Sequence, residues 1–92
     1  MATTATQSRL LTLARYHQST RGRWPNPTRE MFHHAVTPAL ALTLYALRPG
    51  YGYCVAWINH GLDGVHVYRD EADARAYIRR AILDMEAEDP IC

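Results

Sequence analysis

Five histidines (His17, His33, His34, His60 and His66) and the thiol of Cys54 are the first side chains to test for chemistry. Zinc takes four ligands, usually in short pairs such as C-x2-C or H-x3-H, and no such pair occurs. His60 and His66 flank a loop, and Cys54 reaches His60 only if its strand bends. The histidines are read as surface or packing residues, and no metal or other cofactor is expected. Cys54 lies inside the run "YCVAWIN", away from any helix N-terminus that would lower its pKa. A buried structural cysteine is the expectation there. The acids fall mostly on one helix. "PGYG" lacks the lysine and hydroxyl of a phosphate-binding loop. No catalytic residue is assigned, no small-molecule substrate is expected, and the chain is read as non-catalytic.

Arginine beside aromatic residues is the signal that is left. "STRGRWPNPT" sets Arg21, Arg23 and Trp24 in a connector, with Arg9 and Arg15 before it and Arg29 after it. Guanidinium groups suit phosphate and carboxylate, and an indole stacks on a base or on another protein's side chain. These six residues are the first-choice contact for a partner or nucleic acid. The competing reading has Trp24 plugging a gap between helices with its arginines solvated. Arg75, Arg79 and Arg80 are a second choice. There, Glu71–Arg75 and Arg80–Asp84 at i,i+4 spacing favour a solvated ion-pair face. Tyr51, Tyr53, Trp57 and Tyr68 exceed what a small core needs, and some should reach the surface.

All ten basic residues are arginine, as a GC-rich coding sequence would produce. The net charge of +1 hides an asymmetry. Residues 1–69 hold seven arginines against two acids, and residues 70–92 hold three against seven. A positive body with an acidic terminal helix can meet a polyanion on one side and repel it on the other.

The elements that would position these residues read as follows. Gln7 to Ser19 predicts a helix capped by Thr6, with Leu10, Leu13, Ala14 and His17 on its buried face and Gly22 after it. "PNPTREMFHHAV" predicts a short second helix, capped by Asn26, with Met31, Phe32 and Ala35 inward. In residues 38–47, Leu40, Leu42 and Leu44 alternate as in a strand. Leu40, Leu44 and Leu47 also fit a helix with Pro38 at its first turn. Thr43, Tyr45 and the turn "RPGYG" favour the strand. Tyr51 to Asn59 is the clearest strand, "HGLDG" a hairpin loop and "VHVYR" the returning strand. Asp70 caps a helix whose inward stripe is Ala74, Ile78, Ala81, Ile82 and Met85.

The fold class is α+β: N-terminal helices, a small antiparallel β-meander and a C-terminal amphipathic helix. The 92 residues suit a single small domain, with 1–6 disordered and 88–92 a frayed tail. Two cysteines are too few for a disulfide scaffold, and no apolar run has signal-peptide or membrane-spanning length. A cytoplasmic location is expected, with no membrane partner.

"RGRWPNP" and the compact unit "YCVAWINHGLDGVHVYRDEADARAYIRR", about a third of the chain, resemble in type the small phage-encoded inhibitors called anti-CRISPR proteins. These share no common motif, so no functional residue carries over. The resemblance implies a stoichiometric inhibitor in the host bacterial cytoplasm. It would dock on a multi-subunit, RNA-guided surveillance complex of Cas proteins and crRNA and deny it target DNA. The alternative is a small nucleic-acid-binding or transcription-regulatory protein, although dedicated binders usually exceed the pI of 7.9 found here. An enzyme of unrecognised type is a third reading.

Overall fold

Every residue of the strand Leu40–Ala46 is buried, so both of its faces must be covered. The computed structural model, which describes residues 4–20 and 27–88, shows how. The order is α1 (Thr4–Thr20), β1 (Arg29–Thr37), β2 (Leu40–Ala46), β3 (Tyr53–Asn59), β4 (Leu62–Tyr68) and α2 (Glu71–Glu88). The four strands form one antiparallel sheet in the order β1-β2-β3-β4. Helix α1 lies across one face and α2 packs on the other.

Alternation along β2 and β3 sorts the two cores. Leu40, Leu42, Leu44 and Val55 face α2 and meet Ala74, Ile78 and Met85. Ala81 and Ile82 pack against this cluster, completing the stripe expected of α2. Tyr45, Cys54 and Ala56 face the other way, toward Tyr16 of α1.

The turns follow their residues. Arg48 to Tyr51 form a turn with Pro49 at its second position and Gly50, φ 96°, at its third. That is type II, which needs a positive φ at the third position. β3 and β4 are joined by His60 (φ 46°) and Gly61 (φ 95°) alone, a type I′ hairpin. β4 therefore begins at Leu62, and the expected five-residue loop is a two-residue turn. Gly64, inside β4, makes room for the Trp57 indole: a Cβ there would lie 2.5 Å from the ring. Trp57, His66, Tyr77 and Tyr68 then continue as a row of ring contacts under α2.

Three local expectations are overturned. The segment expected to be a second helix is β1, paired with β2 from Arg29↔Ala46 to Thr37↔Leu40. Register shifts between Glu30 and Phe32, and again between Ala35 and Thr37, break its alternation. Met31, Phe32 and Val36 consequently all reach the α2-side core, a spacing that imitates a helix face. The α1 helix starts at Thr4, ahead of the expected Thr6 cap. Of the residues expected inward on this helix only Leu13 packs against the core, and a different set is buried. Ser8, Thr12, Tyr16 and Thr20 are at most 5% exposed, while Leu10 is 63% and Leu11 41% exposed. The expectations for Asn26, Gly22, residues 1–3 and residues 89–92 lie outside the described residues.

Candidate anion-binding site

An antiparallel meander brings the start of β1, the end of β2, the start of β3 and the end of β4 to one side of the sheet. Its register aligns Arg29 with Ala46, Ala46 with Tyr53, and Tyr53 with Tyr68. Arginines sit at or just beyond three of these ends: Arg29, Arg48 and Arg69. They line a cleft of about 860 Å3 together with Tyr51 and Tyr53.

Among the described residues, no acidic side chain lines this cleft. The Arg48 guanidinium lies 4.7 Å from the Tyr51 ring centroid, and its Nη2 donates to the Tyr51 hydroxyl at 3.0 Å. A guanidinium held over a ring keeps its charge and has lost part of its side-chain freedom before any ligand arrives. Two glycines shape the wall. Gly52, φ 83°, lets the 47–52 turn lie against the backbone of Tyr68 and Arg69, where a Cβ would collide with the Tyr68 carbonyl oxygen. A Cβ on Gly50 would meet only open space. The start of β1 is tied down by Thr28, whose N–H and hydroxyl both donate to the Ala46 carbonyl, at 2.8 and 2.9 Å.

The arginines expected to act divide sharply. Arg9 is held by Glu30, with Nε 3.0 Å from Oε2 and 3.1 Å from Oε1. Arg15 donates to Gln18 at 2.9 Å and lies 3.8 Å from Asp63. Arg75 is paired with Glu71 at 2.6 Å, as its spacing predicted. Arg79 and Arg80 are exposed on α2, and the expected Arg80–Asp84 pair does not form. Of the first-choice set, Arg29 alone among the described residues joins the cleft. Arg21, Arg23 and Trp24 lie outside the described residues. Sequence reasoning did not place Arg48 and Arg69 beside Arg29. The signal was available: in a meander, the start of one strand and the end of the next lie at one end of the sheet.

A second constellation has the look of chemistry. The Ser8 hydroxyl and His33 Nε2 are 2.6 Å apart, and His33 Nδ1 lies 2.7 Å from Thr43 Oγ1. Thr43 Oγ1 is 2.8 Å from Thr12 Oγ1, which donates its one proton to the Arg9 carbonyl at 3.0 Å. Thr12 must therefore accept from Thr43. Thr43, its proton spent, must accept from His33 Nδ1–H. In the neutral ring, which the lowered pKa favours, Nε2 accepts from Ser8 and the protons point one way along the chain. Burial first, then the Arg9 charge and that of His34, lower the His33 pKa against the opposing effect of Glu30. Ser8 is 0% exposed, so no substrate reaches its hydroxyl, and the imidazole's second nitrogen meets a threonine instead of an orienting carboxylate. This chain of hydrogen bonds clasps α1 to the sheet.

Cys54 is fully buried on the same face, and burial pushes its thiol up to about 12. Tyr16 is likewise raised to about 12 by burial and by Cys54 and Tyr45. Both stay protonated at neutral pH. Among the described residues, no three His, Cys, Asp or Glu side chains are grouped to hold a metal ion, and no helix is long and apolar enough to cross a membrane. No protein-family model, curated protein or solved structure matches the chain.

Proposed function

We propose that this protein is a non-catalytic binder that docks on an assembly of protein and nucleic acid, leading with its arginine-lined cleft. The observation that carries this reading is the distribution of uncompensated charge. Arg29, Arg48 and Arg69 have no carboxylate partner among the described residues, and all three line one concavity. Holding like charges together costs free energy unless a counter-charge arrives, so such a cluster fits a surface whose partner is anionic.

An apolar patch argues for protein in the same assembly. Leu11 and Leu62 line one shallow groove with Ala39 and Ile58, and Leu62 is 68% exposed. Exposed leucines beside Arg15 suit a mixed apolar and polar protein contact. An inhibitor of the anti-CRISPR type, acting on an RNA-guided complex of Cas subunits and crRNA in a bacterial cytoplasm, would use both surfaces and need no catalytic residue.

The test is affinity purification on the immobilised full chain from lysate of a bacterium with an active RNA-guided defence, with and without nuclease. The reading expects a defined set of subunits to co-purify with RNA. Recovery of nucleic acid alone, lost on nuclease treatment, would favour a free nucleic-acid-binding regulator. Turnover of a substrate with no stable partner would overturn the reading.

A further inference from the structure

We infer that the cleft between the 47–52 turn and the ends of β1 and β4 binds single-stranded nucleic acid. Phosphodiester oxygens would meet Arg29, Arg48 and Arg69, and a base would stack on the Arg48–Tyr51 pair. The inference rests on the docking reading above and deepens it by naming the chemistry of the site.

Four features converge. Three guanidiniums line one cleft without an acidic wall, so every anionic unit that enters gains from at least one of them. A phosphate chain carries a charge at every unit, whereas an acidic peptide needs consecutive acids held in matching rotamers. The second feature is aromatic. Tyr51 and Tyr53 line the same cleft, and Arg48 is already stacked on Tyr51 at 4.7 Å. Carboxylates make no use of ring faces, but unpaired bases stack on tyrosine rings and on guanidinium planes.

The third feature is shape. The walls are strand ends and a turn, so among the described residues no helix or β-ribbon projects from the cleft to enter a duplex groove. A concave site admits one flexible strand with an unpaired base free to turn onto the Arg48–Tyr51 pair. The fourth is the built wall: Gly52 permits the close approach of the turn to Arg69, and Thr28 anchors the strand that carries Arg29.

The experiment is fluorescence anisotropy of the full chain with labelled oligothymidylate and oligouridylate, at salt between about 50 and 200 mM. Three phosphate contacts predict a slope of log K against log salt of about −2, and each of Arg29→Gln, Arg48→Gln and Arg69→Gln should flatten it by roughly 0.7. Tyr51→Leu should weaken binding roughly tenfold and leave the slope nearly unchanged, because stacking releases no counterion. An Arg79→Gln/Arg80→Gln variant is the control and should bind as the parent does. Thermal melts of each variant establish that it is folded.

Absence of binding at the lowest salt overturns the inference. So does an equal loss with the α2 control, or equally tight binding of an oligoglutamate blocked by the same substitutions. If cleft variants release a co-purified assembly while oligonucleotides do not bind, the docking reading stands and this inference fails. If oligonucleotides bind at the cleft and no assembly is found, the inference stands and the docking reading fails.

Discussion

Replacing Thr43 with valine should loosen the attachment of α1 far more than the loss of one oxygen suggests. Thr43 is 0% exposed and stands at the centre of the one-way hydrogen-bond chain, accepting from His33 and donating to Thr12. Valine keeps the shape and suits a strand. It leaves the His33 Nδ1–H without an acceptor and removes a donor from Thr12 Oγ1. Orphaning a buried polar group costs about 1–3 kcal/mol. His33 is only partly buried and Thr12 keeps a long contact to the Tyr45 hydroxyl at 3.4 Å, so the lower half of that range applies to each. The total is about 2–4 kcal/mol, offset by well under ~1 kcal/mol for the better strand former.

A chain of this length has total stability of roughly 5–14 kcal/mol, so the loss is a large share of it. The corresponding fall in Tm is about 10–20 °C. Urea denaturation followed by circular dichroism at neutral pH measures it. The Thr12→Val/Thr43→Val double variant should lose less than the sum of the singles, because each single change strands the other hydroxyl. A Thr43→Val loss below about 0.5 kcal/mol, or strict additivity in the cycle, would refute the clasp.

Three further outcomes follow from the same geometry. The His33 pKa is lowered from 6.5 in the folded chain, so below pH 6.5 the unfolded chain takes up a proton that the folded one refuses. Stability should be level above that value and fall as pH drops below it toward the folded pKa. His33→Gln should flatten this part of a urea-midpoint profile, and an unchanged slope would contradict the assignment. Gly64→Val should cost about 1–3 kcal/mol by driving the Trp57 indole off its seat, measured by thermal melting, and a neutral result would contradict the close contact. In a Cys92→Ser background, Cys54 should react with a thiol reagent at mildly alkaline pH only as fast as the protein unfolds, because it is buried with a pKa of about 12. Rapid stoichiometric labelling of the folded protein would contradict this.

Much of the architecture is written locally. The α2 stripe from Ala74 to Met85 and the β-branched and aromatic run of β3 each point to one structure at every residue. β2 is legible because Leu40, Leu42 and Leu44 alternate without interruption. β1 is not, because its two register shifts place Met31 beside Phe32 on the same core and erase the period of two. The orientation of α1 was hidden for a different reason. Leucine outweighs serine and threonine in any reading of helical faces, yet Ser8 and Thr12 face inward to meet His33 and Thr43, 25 and 31 residues away. Periodicity carries no information about such partners.

The cleft was hidden behind the error in β1. With residues 29–37 read as a helix, Arg29 belongs to the N-terminal cluster, and Arg48 and Arg69 look like isolated turn residues. Once β1 is a strand, the three stand at one end of the sheet. Arg9 and Arg15, placed in the contact set by the sequence, lie beside Glu30 and Asp63, which no helical spacing pairs with them.

The account stands on adhesion through the arginine-lined end. Its most direct measurement compares two charge-reversed variants for binding to the co-purified assembly: Arg29→Glu/Arg48→Glu/Arg69→Glu in the cleft, and Arg79→Glu/Arg80→Glu on α2. Loss of binding by the folded cleft variant, with the α2 variant close to the parent, is the predicted result. Full binding by the cleft variant would contradict the account.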